Sequence, residues 1–187
     1  KRLVLLASKL GKIQMIQPLY RPEEYRTVRM AIGNLPPIND GEVCRIDSMH
    51  RASKLSAINK RRIVQSVPGG TWRDWDEKLQ LKCHGKTSGK TYASVYGRMC
   101  WDEPSPTITT QFYGYGNGRF GHPEQDRAIS LREGAILQSF PEDYIFTAEN
   151  HVIHKREVGV HIGNAVPVEL GHAIGISIQQ HLDKYVG

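Results

Sequence analysis

The sequence predicts an α+β fold, and three features of the 187-residue chain support this prediction. The run Leu3–Ala7 is continuously apolar, as in a strand that is buried on both faces of a parallel sheet. Segments near residues 131 and 167 instead carry apolar residues at helical spacing. The stretch 39–91 is polar and basic, which predicts long loops. Because the chain opens within core-like sequence, we expect it to be part of a larger domain.

The first predicted helix begins at Pro22, because proline is favoured at the first helical position and Glu23 and Glu24 place acids in the first turn. Its apolar face consists of Tyr25, Val28, Ala31 and Ile32. Gly33 ends this helix. A weaker helical pattern is centred on Leu55, Ile58 and Ile63.

Two further helices are predicted in the second half of the chain. Ser130 and Glu133 form a capping-box pattern, which predicts a helix from Leu131 to Pro141. A last amphipathic helix is predicted from Pro167 onward. Its apolar stripe consists of Leu170, Ala173, Ile174, Ile178 and Leu182. Such a stripe must be buried against another surface.

Two strands are predicted between residues 92 and 112, the first at Tyr92–Tyr96 and the second at Thr107–Thr110. Two irregular loops accompany them, at 98–104 and 113–121. The second loop contains four glycines, which allow a backbone to approach another surface closely.

The net charge of the chain is +6 with histidine neutral. Basic residues cluster at Lys54, Lys60–Arg62, Lys82, Lys86 and Lys90. This charge favours a polyanionic partner, although a solvated basic face is an equally good interpretation of charge alone. No run approaches the roughly 20 apolar residues of a membrane span, so we predict a cytoplasmic protein without a membrane partner.

The three cysteines, Cys44, Cys83 and Cys100, are odd in number and far apart, which does not favour a disulfide framework. Cys44 and Cys83 could ligate a metal together with His50 and His84. The chain lacks the Cys-x-x-Cys spacing of a structural zinc site, however. We therefore predict no metal site.

Two blocks of the sequence resemble motifs of the DNA cytosine-5 methyltransferases. Arg127–Tyr144 resembles the ninth of that family's ten ordered motifs, and Ile162–Pro167 resembles the tenth. Pro104–Thr110 and His122-Pro123 resemble its target-recognition region. The resemblance covers almost the whole chain, yet no cysteine follows a proline as in that family's catalytic loop.

The resemblance implies that the chain is the C-terminal part of such an enzyme. Residues 1–20 would carry the last strand of an absent Rossmann-like catalytic domain. Residues 21–150 would form a small target-recognition domain of irregular strands and loops, including the ninth-motif helix. Residues 151–187 would hold the tenth motif and a C-terminal helix that returns to the catalytic domain.

That family transfers a methyl group from S-adenosylmethionine to the 5-carbon of cytosine in double-stranded DNA, after the base is flipped out of the duplex. The resemblance implies this activity for the intact protein, in a bacterial-type restriction-modification setting at the nucleoid. The chain lacks the nucleophilic cysteine loop. It would therefore supply DNA target recognition and be inactive without the missing N-terminal catalytic part.

The resemblance also implies functional residues. Those lining the methionine end of the S-adenosylmethionine pocket would be Gly163, Asn164, Ala165 and Val166. Thr107 would touch a DNA phosphate. Arg2 would lie near the flipped cytosine, since Lys1-Arg2 resembles the end of the eighth motif. The loop donors that would reach base edges in the major groove are Arg98, Tyr115, Asn117 and Arg119.

Simpler alternatives exist for these assignments. Arg98 and Arg119 could contact only phosphate or a local carboxylate such as Asp102, and Gly163-Asn164 could be an ordinary turn before a helix. The residues of the ninth motif that we expect to be structural are Arg127, Arg132, Glu133, Gln138 and Phe140. For the whole chain, the other hypotheses are a stand-alone DNA-binding or regulatory module, and a fragment whose exposed strand and helix pair with each other or with another copy.

Overall fold

The computed structural model describes residues 3–91, 93–148 and 151–186. Five α-helices occur in these residues: α1 (Val28–Ile32), α2 (Ala57–Gln65), α3 (Leu131–Leu137), α4 (Lys155–Asn164) and α5 (Val168–Val186). Short 3₁₀ turns lie at Pro22–Glu24, Trp72–Asp74, Glu77–Leu79, Gly89–Thr91 and Tyr115–Asn117. Arg2 lies outside the described residues, so its assignment stays a prediction.

The described chain divides into two compact units. One contains the residues up to Tyr25 and those from Val166 onward, and the other is Arg26–Ala165. The division at residues 20 and 150 that the sequence suggested refers to a larger protein and stays a prediction. Within this chain, α4 belongs to the same unit as α1, α2 and α3.

The first unit consists of α5 and an extended N-terminal segment. The backbone N–H of Ile16 donates to Oγ of Ser177 at 3.1 Å, and Nε2 of His181 lies 2.8 Å from Oγ of Ser8. The start of α5 after Pro167 confirms the predicted helix. The predicted strand Leu3–Ala7 forms no ladder with any described residue, because no neighbouring strand is available to pair with its backbone.

The second unit is built around the packing of α3 against α1 and α4. Its main core contains Val28, Ile32, Met99, Ile108, Phe112, Ile129, Leu131, Ala135, Val158 and Ile162, among others. A smaller cluster contains Ile63, Trp72, Trp75, Leu79, Tyr115 and Ala128. Val28, Ala31 and Ile32 of the predicted α1 face are buried, whereas Tyr25 is not. Helix α3 is buried at every position from Leu131 to Ile136, beyond the apolar residues alone.

Helix α1 begins later than the sequence suggested. Pro22–Glu24 forms a separate 3₁₀ turn, and α1 starts after Thr27, whose Oγ1 accepts from the Met30 N–H at 3.3 Å. Threonine is a favoured N-cap residue, and its hydrogen bond satisfies one of the free N–H groups of the first turn. Tyr25 therefore lies before the helix and is half exposed.

The two strands predicted between residues 92 and 112 are wrong for the described residues. Residues 93–96 form a turn, in which Tyr96 has a φ of 61°, and 105–109 pair with no other segment. The ring of Tyr96 packs edge-on against Trp75 and Tyr115. Burial of this ring in the smaller cluster, which no local pattern reveals, outweighs the strand propensity of the segment.

Candidate nucleic-acid interface

Four chain segments lie side by side at the centre of the second unit. Isolated β-bridges join Pro68 to Arg98, Arg98 to Gly121, and Gly121 to Ala128. The Gly69 N–H donates to the Arg98 carbonyl at 3.2 Å, which continues this pairing. This pairing places the turn Pro68-Gly69-Gly70 beside the two loops that were predicted to contact DNA.

Arg98 is buried at the middle of this arrangement, with only 4% of its surface exposed. Its guanidinium donates to the carbonyl oxygens of Ile63, Ser66, His122 and Gln125 at 2.8–2.9 Å, and to the carboxylate of Asp126. An arginine side chain has five N–H donors, so every one has an acceptor within the chain. The structure thus gives Arg98 a structural role, because it has no donor left for a base.

Tyr115 is also internal, contrary to the DNA-contact prediction. It is 1% exposed, and its hydroxyl lies 2.5 Å from Oγ of Ser66. Burial raises the pKa of Tyr115 to about 12. The residue is therefore a protonated member of the smaller core cluster and does not face solvent.

Arg119 has the opposite character. Its side chain is half-buried, and its Nε is buried without a hydrogen-bond partner among the residues that the structure describes. Its stem lies over the backbone of Gly97, since a Cβ on Gly97 would be 2.9 Å from Cγ of Arg119. Burial and Glu103 raise the pKa of the Cys100 thiol, and the charge of Arg119 partly offsets this increase. Of the two predicted loop arginines, this one keeps available donors.

Asn117 and Thr107 are both exposed. Nδ2 of Asn117 donates to the Gln111 carbonyl at 3.2 Å, which holds the side chain against its own loop. Thr107 precedes the buried Ile108. Both side chains are accessible to a ligand, and their DNA contacts stay predictions.

The basic residues noted in the sequence are mostly on the surface. Lys54, Lys60, Arg61, Lys82 and Lys86 are exposed. Lys60 lies 3.4 Å from the Asp40 carboxylate. Arg62 differs, because it is buried, donates to the Leu79 carbonyl at 2.8 Å and stacks over Trp75.

The ninth-motif segment forms a buried network of charges around the start of α3. The Ser130–Glu133 capping box is present, with the Ser130 N–H donating to Glu133 at 2.6 Å. Two nitrogens of Arg127 donate to the Glu133 carboxylate at 2.7 Å. Burial alone raises the pKa of Glu133, but Arg127 outweighs it and the pKa falls to about 2. The structural role predicted for these residues is confirmed by their burial.

His122 lies within the same network. Its Nδ1 accepts from the backbone N–H groups of Glu124 and Gln125 at 3.1 and 2.9 Å. Nε2 lies 3.7 Å from the Glu133 carboxylate. Burial lowers the pKa of His122 to about 4 despite that carboxylate, so the imidazole is neutral at pH 7.

Gly163-Asn164 does not form an ordinary turn before a helix, which was the simpler alternative for these residues. Gly163 and Asn164 are the last residues of α4, which the sequence did not predict. A Cβ on Gly163 would lie 2.4 Å from the backbone of Thr109 and Thr110, so the glycine allows the helix to pack directly on that segment. Ala165 caps the helix.

Gln138, at the end of α3, holds this helix end in place. Its Nε2 donates to the carbonyl oxygens of Ile162 and Ala165 at 2.9 and 3.1 Å, and the side chain is 3% exposed. Ile162 lies in the last turn of α4 and Ala165 is its C-cap, and the Ile162 carbonyl also accepts from the Ala165 N–H at 3.2 Å. The segment that resembles the ninth motif is thus joined to the one that resembles the tenth.

The residues that would line a cofactor fit that role in part. Asn164 and Val166 are exposed and Ala165 is half-buried, so an amide and apolar groups are accessible to a bound S-adenosylmethionine. Gly163 is buried, and its lack of a side chain is already required by the backbone of residues 109–110. Asn164 and Ala165, both in the second unit, can supply part of a pocket wall.

Sequence reasoning missed Gly97 and Asp126. Gly97 directly follows the predicted strand Tyr92–Tyr96, and a glycine beside a strand can mark a close backbone approach, which could have drawn attention to it. Asp126, which pairs with Arg98, has no such signal because the two residues meet only through the fold.

No helix in the described parts of the chain is long and apolar enough to cross a membrane. Within residues 3–91, 93–148 and 151–186, no three histidine, cysteine or acidic side chains are grouped to hold a metal ion. Cys44, Cys83 and Cys100 are free thiols.

Comparison with known proteins identifies the family. The model of the C-5 cytosine-specific DNA methylases matches residues 1–180. The chain belongs to this family. Among its relatives, the type II methylase M.HgiDII of Herpetosiphon aurantiacus is 59% identical over 182 residues, which are 97% of this chain and 51% of the relative.

More distant DNA methylases match as well. The type II methyltransferase M.Eco47II of Escherichia coli is 39% identical over 79% of the chain, which covers 34% of that protein. DNA (cytosine-5)-methyltransferase 3 of Arabidopsis thaliana is 33% identical over 83% of the chain, which covers 12% of that protein. The chain therefore spans about half the length of M.HgiDII and smaller shares of these two relatives.

Proposed function

We propose that this chain is the target-recognition and C-terminal part of a DNA cytosine-5 methyltransferase. Membership of the methylase family supports this, as does an alignment that covers only 51% of M.HgiDII. None of the three cysteines follows a proline, so the nucleophile would lie on residues outside the chain. Since M.HgiDII and M.Eco47II are named as type II enzymes, we propose a bacterial cytoplasmic enzyme of a restriction-modification system.

The observation that carries the DNA-recognition role is the Nε atom of Arg119, on a half-buried loop side chain. This Nε is buried without a hydrogen bond among the described residues, which is unfavourable unless a ligand supplies an acceptor. The O6 and N7 atoms of guanine present two adjacent acceptors in the major groove, and arginine matches them with two parallel N–H groups.

Each accessible residue would have its own part in holding the duplex. Arg119 and Asn117 would bind base edges and so fix which cytosine is presented. Thr107 and exposed basic residues such as Arg61 would bind phosphates, which adds affinity without sequence preference. Together these contacts would offset the few kcal/mol that flipping a base out of the stack costs.

The end of α4 would contribute to cofactor binding. Asn164, Ala165 and Val166 would form one wall of the site, while Gly163 lets α4 pack closely enough on residues 109–110 to set that wall in position. S-adenosylmethionine, when bound, supplies the methyl group. The thiolate that activates the cytosine would come from the remainder of the enzyme.

Reconstitution tests the proposed activity. The chain would be combined with the part of M.HgiDII that it does not align with, and labelled methyl transfer from S-adenosylmethionine to duplex DNA would be measured. We expect transfer by the pair and none by either part alone. If the pair transfers nothing while the chain still binds duplex DNA, the stand-alone DNA-binding module replaces the enzyme as the better hypothesis.

The recognition role is tested on the reconstituted pair, once its methylated site has been mapped. Arg119→Ala and Asn117→Ala should weaken binding to the cognate duplex by roughly 10-fold or more, with a smaller effect on random DNA. Arg61→Ala is the matched control, because loss of a phosphate contact should weaken both complexes equally and reduce the salt dependence of binding. If Arg119→Ala weakens binding to cognate and random duplexes equally, Arg119 contacts only phosphate.

A further inference from the structure

The backbone conformation of residue 97 does not explain why a glycine lies against Arg119. Glycine is required where φ is positive, but the positive-φ glycines in the described chain are Gly11, Gly41, Gly69 and Gly118. Gly97 is therefore in a conformation that other residues adopt. What excludes a side chain there is space, since its Cβ would lie 2.9 Å from Cγ of Arg119 and 3.2 Å from the carbonyl oxygens of Gly70 and Ser94.

The backbone beneath Arg119 is held on both sides. The Gly121 N–H donates to the Gly97 carbonyl at 2.9 Å, which ties the end of the Arg119 loop to residue 97. The next residue, Arg98, is fixed by hydrogen bonds to four carbonyl oxygens. The stem of Arg119 thus packs on backbone that is held by hydrogen bonds. Cγ is close to the main chain of Arg119 itself, so it cannot move aside as easily as the end of the side chain could.

We propose that Gly97 is a positioning residue for DNA specificity, because its bare backbone seats the stem of Arg119 and thereby sets the direction in which the guanidinium meets the duplex. This inference rests on the proposed function. A bidentate contact needs two N–H groups of the guanidinium aligned with a pair of acceptors. A methyl group at residue 97 displaces the stem and misaligns the guanidinium, although the arginine itself is still present.

The first test is a double-mutant cycle on the reconstituted enzyme. Gly97→Ala should reduce discrimination between cognate and random duplex in the same direction as Arg119→Ala, by about 10-fold. In the Arg119→Ala background, Gly97→Ala should cause no further loss, because the two residues act through one contact. Gly85→Ala is the matched control, since its Cβ would meet only the Lys82 carbonyl at an ordinary 3.7 Å.

The second test reads the position of Arg119 without DNA. The charge of Arg119 lowers the pKa of the Cys100 thiol, so displacing that charge raises this pKa. On the full chain, the pH dependence of Cys100 alkylation, followed by peptide mass spectrometry, should shift upward in both Gly97→Ala and Arg119→Ala. A Gly97→Ala protein with an unchanged alkylation profile would retain Arg119 in place and overturn the inference.

If Gly97→Ala folds poorly, the thermal stability of the variants provides a third test. Arg119→Ala removes Cγ, so Gly97→Ala should lower the Tm less in that background than in the wild type. Equal Tm losses in both backgrounds would overturn the inference.

The outcomes also separate the two proposals. If Arg119→Ala leaves the discrimination between cognate and random duplex intact, the recognition role proposed for Arg119 fails. If Arg119→Ala reduces discrimination and Gly97→Ala does not, only the positioning role of Gly97 fails.

Discussion

At the scale of single residues, two arginines twenty-one positions apart illustrate how the surroundings decide a side chain's role. Arg98 and Arg119 both lie in irregular loops, and both were predicted to bind DNA. Arg98 is enclosed by carbonyl oxygens from α2 and from residues 122–126. Nε of Arg119 meets no acceptor among the described residues. The first therefore stabilises the unit, and the second is left for a ligand.

Arg98→Lys tests this structural role. Lysine keeps the charge but cannot reproduce the planar fork, so several buried carbonyl oxygens lose their donor. We expect the free energy of unfolding of the full chain, measured by urea denaturation, to fall by about 3 kcal/mol. Arg61→Lys, at an exposed position, should change it by less than about 0.5 kcal/mol. Equal stability of Arg98→Lys and wild type would contradict the role.

His122 makes the chain sensitive to mild acid. Its pKa is about 4 in the fold and near 6.5 when exposed, so between these values the unfolded chain binds more protons. The free energy of unfolding is therefore not reduced by His122 above pH 6.5, and it decreases as the pH falls from 6.5 toward 4. Arg98, Arg127 and His50 oppose protonation, and Glu133 favours it. Protonation of Glu133 lowers the free energy of unfolding further below about pH 4.5.

The measurement is the free energy of unfolding of the full chain between pH 7 and 4. We expect a decrease on the order of 3 kcal/mol across this range from His122. His122→Asn keeps an acceptor near the position of Nδ1 but does not titrate, so its stability should depend much less on pH in this window. The same pH dependence in His122→Asn and wild type would assign the effect to other groups.

At the scale of elements, the contact between α3 and α4 links the two family motifs. Gln138 donates to two carbonyl oxygens at the end of α4 and is buried. Leucine at this position has similar volume but leaves both carbonyls without a side-chain donor. The end of α4, where the proposed cofactor wall lies, should therefore become looser.

We expect Gln138→Leu to lower the free energy of unfolding by about 1–3 kcal/mol. In the reconstituted enzyme it should raise the KM for S-adenosylmethionine more than it lowers kcat, because the wall is displaced while the nucleophile lies elsewhere. Gln179→Leu, at an exposed position of α5, is the stability control. A Gln138→Leu enzyme that loses kcat at unchanged KM would separate this residue from the cofactor.

Elements with strong local signals were predictable from the sequence. The capping box fixed the start of α3, and apolar spacing after Pro167 indicated α5. Helix α4 was not predicted, because Gly159 and Gly163 lower helix propensity and no side chain caps its first turn. Both glycines instead face residues 109–113, so the helix depends on tertiary packing.

The candidate site was predictable only in part, for a related reason. Of the residues predicted to contact DNA, Thr107 and Asn117 are exposed and Arg119 is half-buried, and their DNA contacts stay predictions. The sequence could not separate these from Arg98 and Tyr115, whose burial depends on residues up to 49 positions away in the chain, such as Ser66. A loop residue faces inward or outward according to partners that no local pattern contains.

At the scale of the whole molecule, the two compact units differ in what they bury. The second unit contains both apolar clusters. Among the described residues of the first unit, the buried side chains are Ser177 and His181, which are polar. Many of its apolar side chains are exposed, among them Leu3, Leu5, Leu10, Met15 and Leu19, and the other described ones are at most half-buried. Without an apolar core of its own, this unit should have little independent stability.

Amide hydrogen exchange of the full chain tests this difference. Residues of α5 should exchange at least about 10-fold faster than those of α3, because opening α5 exposes little additional apolar surface. When the unaligned part of M.HgiDII is added, protection of α5 should rise toward that of α3, since the proposed catalytic domain would cover the exposed apolar side chains. Protection of α3 should change little, which makes it the internal reference. If α5 is already as protected as α3 in the isolated chain, the first unit is stable by itself and needs no partner to complete it.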